Sequence, residues 1–364
     1  MDIKDLRKQI NAIDNNIAEL FETRMRISSE IAEYKRENGL PIYDPDRERE
    51  VIVRNSERIY DEKIRSFYVP FQRSVMDISK KYQSELLNGY RVAYSGMVGA
   101  FSHIAAKKIF KTGEFIPYQG FEAAFRSVEN GDSDVCVLPI ENSFAGEVAQ
   151  VNDLLFKGSL FISGVYDLAV DQCLCGVKGT AADDVKRVVS HSQALSQCSD
   201  FIKEHGYDVI QYENTATAAK YVAELGDAGT AAICSEECAD IFSLSVISRK
   251  INSASNNTTR FVVLTRAKPV PGENKTGDVR FTVMFTVKNE SGALAAVINI
   301  IAGLGYNMTS IHSAPMKELP WNYYFRIECE GEPGKEEFDK MLNELSGFAN
   351  EVRLIGIYSV RKLD

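Results

Sequence analysis

"NIAELFETRMRISSEIAEYKRE", residues 16–37, lies inside a long helical repeat. Apolar side chains recur at Ile3, Leu6, Ile10, Ile13, Ile17 and Leu20, then resume at Ile27, Ile31 and Tyr34. Steps of three and four residues put them on one helical stripe. Position 24 falls on the same seam and holds Arg24. A guanidinium there is either the register device of a coiled coil or part of an anion pocket.

The surroundings sharpen the second reading. Lys35 lies three turns on, roughly 16 Å up the same face. Arg7 is on the same helix, about 25 Å from Arg24 and about 42 Å from Lys35. No small molecule spans all three within one chain. Arg7 can serve that pocket only from a second, antiparallel copy of the helix, so a dimer is expected.

Residues 1–88 read as helix throughout. Asp2 suits the first N-cap, the pattern runs to about Asn38, and Gly39 with Pro41 stops it. In "YDPDRERE" Asp44 suits an N-cap and Pro45 the first helical position. A third helix is predicted over roughly 66–87, with Phe71, Val75, Ile78, Tyr82 and Leu86 on one stripe. Arg47, one turn before Val51, is expected to lean inward, with Glu48 beside it. Ser79 and Gln83 form an i, i+4 pair at the edge of the third stripe. Buried cations need anions, supplied by the protein or by a dicarboxylate ligand.

The 364 residues allow two or three domains, and 45% apolar with 26% charged content is ordinary for a globular protein. No apolar run is long enough to span a bilayer. A net charge of −9 argues against nucleic acid and membrane surfaces as partners. An anionic substrate must be gripped by local cations instead. Seven cysteines without a short-spaced framework read as reduced thiols, and "MDIKDLRKQI" lacks a secretory layout, so a cytoplasmic location is expected. The four histidines are scattered, and neither a metal nor a cofactor is expected.

Residues 90–266 change character. "RVAYSG", "DVCVLPI", "RVVS", "VIQY" and "TAAIC" are short strands, each followed by a polar turn and a helix, and "TTRFVVLTR" closes the set. That is α/β, with parallel sheets expected. Ligands in such folds gather at strand ends, where helix N-termini present free N–H groups. Polar turns stand there at Glu141–Asn142–Ser143, Ser190–His191 with Gln197, and Asn214–Thr215, although capping alone accounts for many such residues. "AKPVPGENKTGD" (267–278) reads as a linker, and residues 279–364 follow as βαββαβ, a ferredoxin-like order.

The helical segment resembles the all-helical chorismate mutases, which form an intertwined dimer. "LRKQINAID", "TRMRISSEIAEYK", "YDPDRERE" and "DISKKYQ" carry the match. That family rearranges chorismate to prephenate by an intramolecular pericyclic shift, so no base or nucleophile is needed. The resemblance implies that Arg7 (from the partner), Arg24 and Arg47 handle carboxylates, a task suited to guanidinium forks. Lys35 and Gln83 would donate to the ether oxygen, where one positioned donor is worth on the order of 3 kcal/mol. Glu48 would hold the substrate hydroxyl. Asp44 and Ser79 are candidates for the site or for structural roles.

"GAFSHIAA", "VLPIENSFAG", "VVSHSQALSQC", "ENTATAA" and "NTTRFVVL" resemble, in order, the motifs of prephenate dehydratases, a two-lobed fold similar to periplasmic binding proteins. Ser192 and "ICSEEC" depart from the usual pattern. Prephenate loses CO2 and its ring hydroxyl to give phenylpyruvate. The resemblance implies Thr259 as donor to the departing hydroxyl, with Asn142, Ser143, Ser190 and Gln197 as further polar contacts. Arg260 would bind a carboxylate or form a structural ion pair, since neighbours 259 and 260 point to opposite faces of a strand.

Residues 290–331 resemble an ACT domain, a phenylalanine-binding regulatory module in this setting. Its effector candidates are Gly292, Ala293, Leu294, His312 and Ser313, although "HSAP" (312–315) lacks the acid and arginine usual there. The resemblances together imply a two-activity enzyme of phenylalanine biosynthesis. A mutase fused to a non-catalytic ligand sensor, or a dehydratase acting on arogenate, are the alternatives.

Overall fold

The structure, a computed structural model, describes residues 2–37, 45–86, 89–254, 256–269, 271, 277–287, 290–316 and 323–363. The chain divides into two compact units, residues 1–91 with 112–114, and the remainder.

The first unit is α1 (Ile3–Glu37), α2 (Pro45–Ser56) and α3 (Glu62–Leu86). Pro45 opens α2 as expected, because its missing N–H is not needed there. The stop at Gly39 and Pro41 and the cap at Asp44 lie outside the described residues. α3 starts four residues earlier than the stripe predicts. Asp61 Oδ1 accepts from the amides of Lys63 (2.8 Å) and Ile64 (3.3 Å) and so caps the helix.

α3 packs against both α1 and α2. Among the described residues this unit buries Ser28, Ala32, Gln72, Met76, Ser79 and Gln83, and four of those six are polar. Much of the apolar seam is bare. Leu20 is 70% exposed and Phe67 78%, and Ile10, Ile13, Ile17 and Phe71 are also exposed.

The second unit begins within β1 (Tyr90–Ser95) and continues through α4 (Phe101–Ile109), most of β2 (Gly113–Tyr118), α5 (Phe121–Asn130), β3 (Val135–Asn142), β4 (Gly146–Glu147), α6 (Ala149–Lys157) and β5 (Phe161–Ala169). The chain then builds a second lobe. It comprises β6 (Cys173–Gly176), β7 (Arg187–His191), α7 (Ser192–Gln197), α8 (Ser199–His205) and β8 (Asp208–Tyr212). It ends with α9 (Thr215–Leu225), β9 (Thr230–Cys234), α10 (Glu236–Ile241) and β10 (Ser245–Ser248). β11 (Thr258–Thr265) returns to the first lobe. The C-terminal run is β12 (Val279–Val287), α11 (Ala293–Gly303), β13 (Met308–Pro315), β14 (Tyr323–Glu330), α12 (Lys335–Leu345) and β15 (Ala349–Leu363).

The sheets are mixed, which corrects the parallel expectation. β1 with β3, and β7 with β8 and β9, are parallel. β11 is antiparallel to both β3 and β5, and β6 is antiparallel to β9. The reason is the crossover. β5 leads the chain out to the second lobe and β11 brings it back, so the two run in opposite directions side by side.

The second-lobe sheet has the order β10-β6-β9-β7-β8. The other sheet runs β13-β14-β12-β15-β5-β11-β3-β1-β2 and therefore joins the C-terminal strands to the first lobe. β15 pairs parallel with β5, with Gly356 opposite Ile162 and Leu363 opposite Leu168. A Cβ at position 356 would lie 2.5 Å from the Ile162 carbonyl oxygen, so glycine permits this approach. Val297, Ile301, Phe338 and Met341 of α11 and α12 cover one face of the C-terminal strands with Phe281, Val283 and Phe285.

Candidate functional site

In the helical unit, Arg24 is half-buried between α1 and α3. Its Nη1 donates to the Ser79 hydroxyl and to the Val75 carbonyl at 3.3 Å. Burial lowers its pKa from the ordinary arginine value. Ser79 is 3% exposed and donates in turn to Val75 O at 2.8 Å. One turn on, the buried Gln83 has an amide oxygen with no partner among the described residues. Arg24 of α1 and the Ser79–Gln83 edge of α3 thus form one polar stretch, in which the guanidinium is the group that can receive an anion and the free Gln83 oxygen one that can accept from a donor.

Arg47 departs from expectation. Its guanidinium is exposed and paired with Glu50 at 2.6 Å, because that acid lies one turn along the same helix face. Glu48 is the inward member. It meets Lys80 Nζ at 2.8 Å, and Lys80 also reaches Asp77 at 2.9 Å. Burial works against the Lys80 charge, but the hydrogen bonds to Glu48 and Asp77 outweigh it and raise the pKa. Lys80 went unnoticed in the sequence, where it reads as a solvent-facing residue between two site candidates. Arg7 is exposed. Asp44 and the side chain of Lys35 lie outside the described residues.

In the α/β unit, β3 and β11 bring Asn142 and Thr259 face to face. Asn142 Oδ1 accepts from the amides of Phe144 (3.0 Å) and Ala145 (2.9 Å). That assigns the amide orientation, because only the oxygen can accept. Asn142 Nδ2 then donates to Thr259 Oγ1 at 2.9 Å, to Asn257 Oδ1 at 3.0 Å and to Thr258 O at 3.3 Å. The Thr259 hydroxyl is therefore an acceptor toward Asn142, and its own proton is available to a substrate. Ser143 is tied to the backbone instead. It donates to Asn256 O at 3.0 Å and accepts from the Thr258 amide at 2.9 Å.

Arg260 points away from Thr259, as strand alternation requires. It forms a two-pronged pair with Asp167, Nε to Oδ1 at 2.9 Å and Nη2 to Oδ2 at 3.4 Å. Glu141 and Glu328 each lie 3.9 Å away. Burial opposes the charge, yet the bond to Asp167 and the negative charges of Asp167, Glu328 and Glu141 together outweigh it, so the pKa is raised. Of its two sequence readings, the ion pair describes the observed geometry. Arg260 and Asp167 line a cavity of about 550 Å³ with Glu141, Ser143, Thr258 and Lys362.

The remaining candidates sit in the second lobe. Ser190, at the end of β7, is fully buried and donates to Ile233 O at 2.6 Å. Gln197 ends α7 and is buried, and its carbonyl accepts from the Ser253 amide at 2.8 Å.

The C-terminal candidates divide between two faces. Gly292 takes a left-handed conformation (φ 88°) before Ala293 opens α11, and Leu294 packs on the helix-side core. Ser313 pairs with Phe325, on that same side. His312 pairs with Arg326 on the opposite face, because the strand period is two. His312 Nδ1 lies 3.2 Å from Glu147 Oε1, and Arg326 contacts the same carboxylate. His312 and Ser313 therefore point to opposite faces of the C-terminal strands.

Sequence reasoning also missed Glu328, which is 2% exposed and accepts from Arg280 (2.7 Å), Thr309 (2.7 Å) and Tyr358 (2.8 Å). Nothing in its alternating strand marks it as an inward-facing acid. Among the described residues, no group of three or more His, Cys, Asp or Glu could hold a metal ion, and no helix is long and apolar enough to cross a membrane.

Comparison with known proteins gives two family matches on separate stretches: chorismate mutase type II over residues 6–84 and prephenate dehydratase over residues 92–269. The bifunctional chorismate mutase/prephenate dehydratase of Aquifex aeolicus is 30% identical, with 98% of each chain covered. That of Buchnera aphidicola subsp. Schizaphis graminum is 31% identical over 98% of this chain and 96% of its own. The structure of prephenate dehydratase from Arthrobacter aurescens in complex with L-Phe is 26% identical. It covers 74% of this chain and 89% of its own, with a TM-score of 0.67.

Proposed function

Because this chain belongs to the bifunctional chorismate mutase/prephenate dehydratase family, we propose that it performs two consecutive steps of phenylalanine biosynthesis. The helical unit rearranges chorismate to prephenate. The α/β lobes then remove CO2 and the ring hydroxyl to give phenylpyruvate. The observation that carries this reading is that each family match encloses its own partly buried polar cluster, Arg24–Ser79–Gln83 in one and Asn142–Asn257–Thr259 in the other.

The mutase step needs a container rather than a reagent. Arg24 grips a substrate carboxylate, and Arg7 from a second chain assists; Arg47 can join them only by leaving its exposed pair with Glu50. Lys35 and Gln83 donate to the ether oxygen as negative charge gathers there. Glu48 takes the substrate hydroxyl, and Ser79 holds the Arg24 fork. The bare seam of Ile10, Ile13, Ile17, Leu20 and Phe67 supports a homodimer, since exposed apolar area of this extent marks an interaction surface.

The dehydratase step is driven by aromatisation, so its barrier lies in the departure of hydroxide. Thr259 donates its free proton to that leaving group while Asn142 stabilises the resulting oxygen charge through its hydrogen bond. Gln197 contributes a further polar contact from the second lobe, while Ser190 supports that lobe through its bond to the Ile233 carbonyl. Arg260, held by Asp167, shapes the strand rather than binding a carboxylate.

The C-terminal domain is read as an ACT-type effector module for L-phenylalanine, around Gly292, Ala293, Leu294 and Ser313. The L-Phe complex of the Arthrobacter relative supports the choice of effector. The contacts of His312 and Arg326 with Glu147, five residues past Asn142, offer a route from that module to the dehydratase site. The protein acts in the cytoplasm and uses no cofactor in this reading.

The test is to give the purified protein chorismate and follow both its loss and phenylpyruvate formation. Conversion to phenylpyruvate is expected. Prephenate accumulating without phenylpyruvate would leave only the mutase and favour the sensor reading of the lobes.

A further inference from the structure

Asn257 stands one position before the first threonine of β11, and the resemblance assigns it no role. It is 7% exposed. Its Oδ1 accepts from Asn142 Nδ2 at 3.0 Å, which assigns its own amide orientation as well. Its Nδ2 is then a buried donor with no partner among the described residues. Buried donors left unpaired are rare, and they concentrate where function requires them.

The backbone around Asn257 is held from the other side. Its carbonyl accepts from the Val170 amide at 2.9 Å, just past the end of β5. Asn252 ties the same two crossovers, accepting from the Gln172 amide at 2.7 Å and donating to Val170 O at 3.1 Å. Asn257 therefore sits where the chain re-enters the first lobe, with its backbone fastened to one crossover and its side chain to Asn142.

We propose that Asn257 is a positioning residue of the dehydratase site, which holds the Asn142 amide so that the Thr259 hydroxyl must accept there and keeps its proton for the departing hydroxide. An Asn142 amide has two protons and here faces Asn257 Oδ1 and Thr259 Oγ1 as its nearest acceptors. With the first acceptor removed, that N–H keeps only the longer contact to Thr258 O at 3.3 Å, and the amide, still held at its oxygen by Phe144 and Ala145, can tilt or draw in water. Thr259 could then turn its own proton elsewhere and cease to be an aligned donor. Small losses of alignment at a reacting group cost large factors in rate. This inference rests on the reading of Thr259 as the donor.

The experiment uses the full chain with added prephenate, and chorismate turnover serves as a folding control at a different site. Asn257→Ala is expected to lower dehydratase kcat by about 30- to 100-fold with KM changed less than about threefold. Because Asn257 acts through Asn142, adding Asn257→Ala to Asn142→Ala should cost less than about threefold more. Asn257→Asp keeps the size and an acceptor in the same place, and should retain kcat within about fivefold of the unsubstituted protein. Unchanged kcat in Asn257→Ala, full additivity with Asn142→Ala, or an aspartate variant as poor as the alanine one would overturn the proposal. Thr259→Ala, run alongside, separates the two ideas. Undiminished kcat in that variant sinks the donor reading itself, whereas a large loss there with normal Asn257→Ala sinks only the positioning role.

Discussion

The guanidinium of Arg24 on α1 is bound to the hydroxyl of Ser79 on α3, so a cation on an apolar helix seam turns inward toward the neighbouring helix. The contact orients a group that can take a carboxylate from an incoming substrate while Ser79 holds its other edge.

Replacing Arg24 with alanine should lower mutase kcat/KM by about 100- to 1000-fold, the cost of losing a positioned charge at the reacting molecule. Added prephenate should still turn over at the normal rate. Lysine at this position should restore little, because a point charge cannot reproduce the two-edged fork. Loss of both steps in a folded Arg24→Ala protein would show that the two sites are not separate.

Thr259→Ala should give the converse. Dehydratase kcat falls by about 100- to 1000-fold, and prephenate builds up when chorismate is supplied. Product chromatography over a time course reads both species at once.

Ser190→Ala probes a residue whose proton is already committed to Ile233 O at 2.6 Å. Removing that hydroxyl takes away one buried hydrogen bond, which should destabilise the protein by about 1 kcal/mol in a denaturant titration. Dehydratase kcat should fall much less than in Thr259→Ala. A loss as large as that of Thr259→Ala would place the Ser190 hydroxyl on the reacting group.

Glu328 gives an expectation for acid. Burial alone would raise its pKa, but Arg280, Thr309 and Tyr358 donate to the carboxylate and bring it below the ordinary glutamate value. A depressed folded pKa means that its contribution to stability is complete above the unfolded value of about 4.3 and fades as pH falls through the lower folded value. Unfolding by denaturant at pH 3 against pH 6 should show a larger loss for the unsubstituted protein than for Glu328→Gln. At neutral pH that variant should be the less stable of the two, since it weakens a buried charge network around Arg280.

The exposed seam predicts association. Leu20→Asp should shift the protein from dimer toward monomer in sedimentation equilibrium and lower mutase activity, with the dehydratase step retained. A protein already monomeric without the substitution would remove Arg7 from the proposed pocket, because within one straight helix it stands about 25 Å from Arg24.

Much of this was legible in the residue pattern. A repeat of three and four specified α1 because side chains on one helical face recur at that spacing, and Arg24 stood out as the break in it. The strand and helix order of residues 279–364 was legible for the same local reason, since alternation and helical period do not depend on distant partners. Polar runs such as "IENS" and "TTRF" likewise marked the ends of β3 and the start of β11.

Pairing between distant segments was not legible. Strands β2, β5, β6 and β10 carry weak local signals, and only their neighbours in the sheet define them. The merger of β15 with β5 depends on Gly356 meeting the Ile162 carbonyl, a contact across nearly two hundred residues that no local pattern encodes. Which of two adjacent residues serves a site was likewise settled by the folded chain: Thr259 faces Asn142 while Arg260 faces Asp167, and Ser313 lies on the helix side while His312 meets Glu147. Sequence periodicity names the candidates because backbone geometry is local. Their partners follow only when long-range packing brings separate strands within hydrogen-bonding distance.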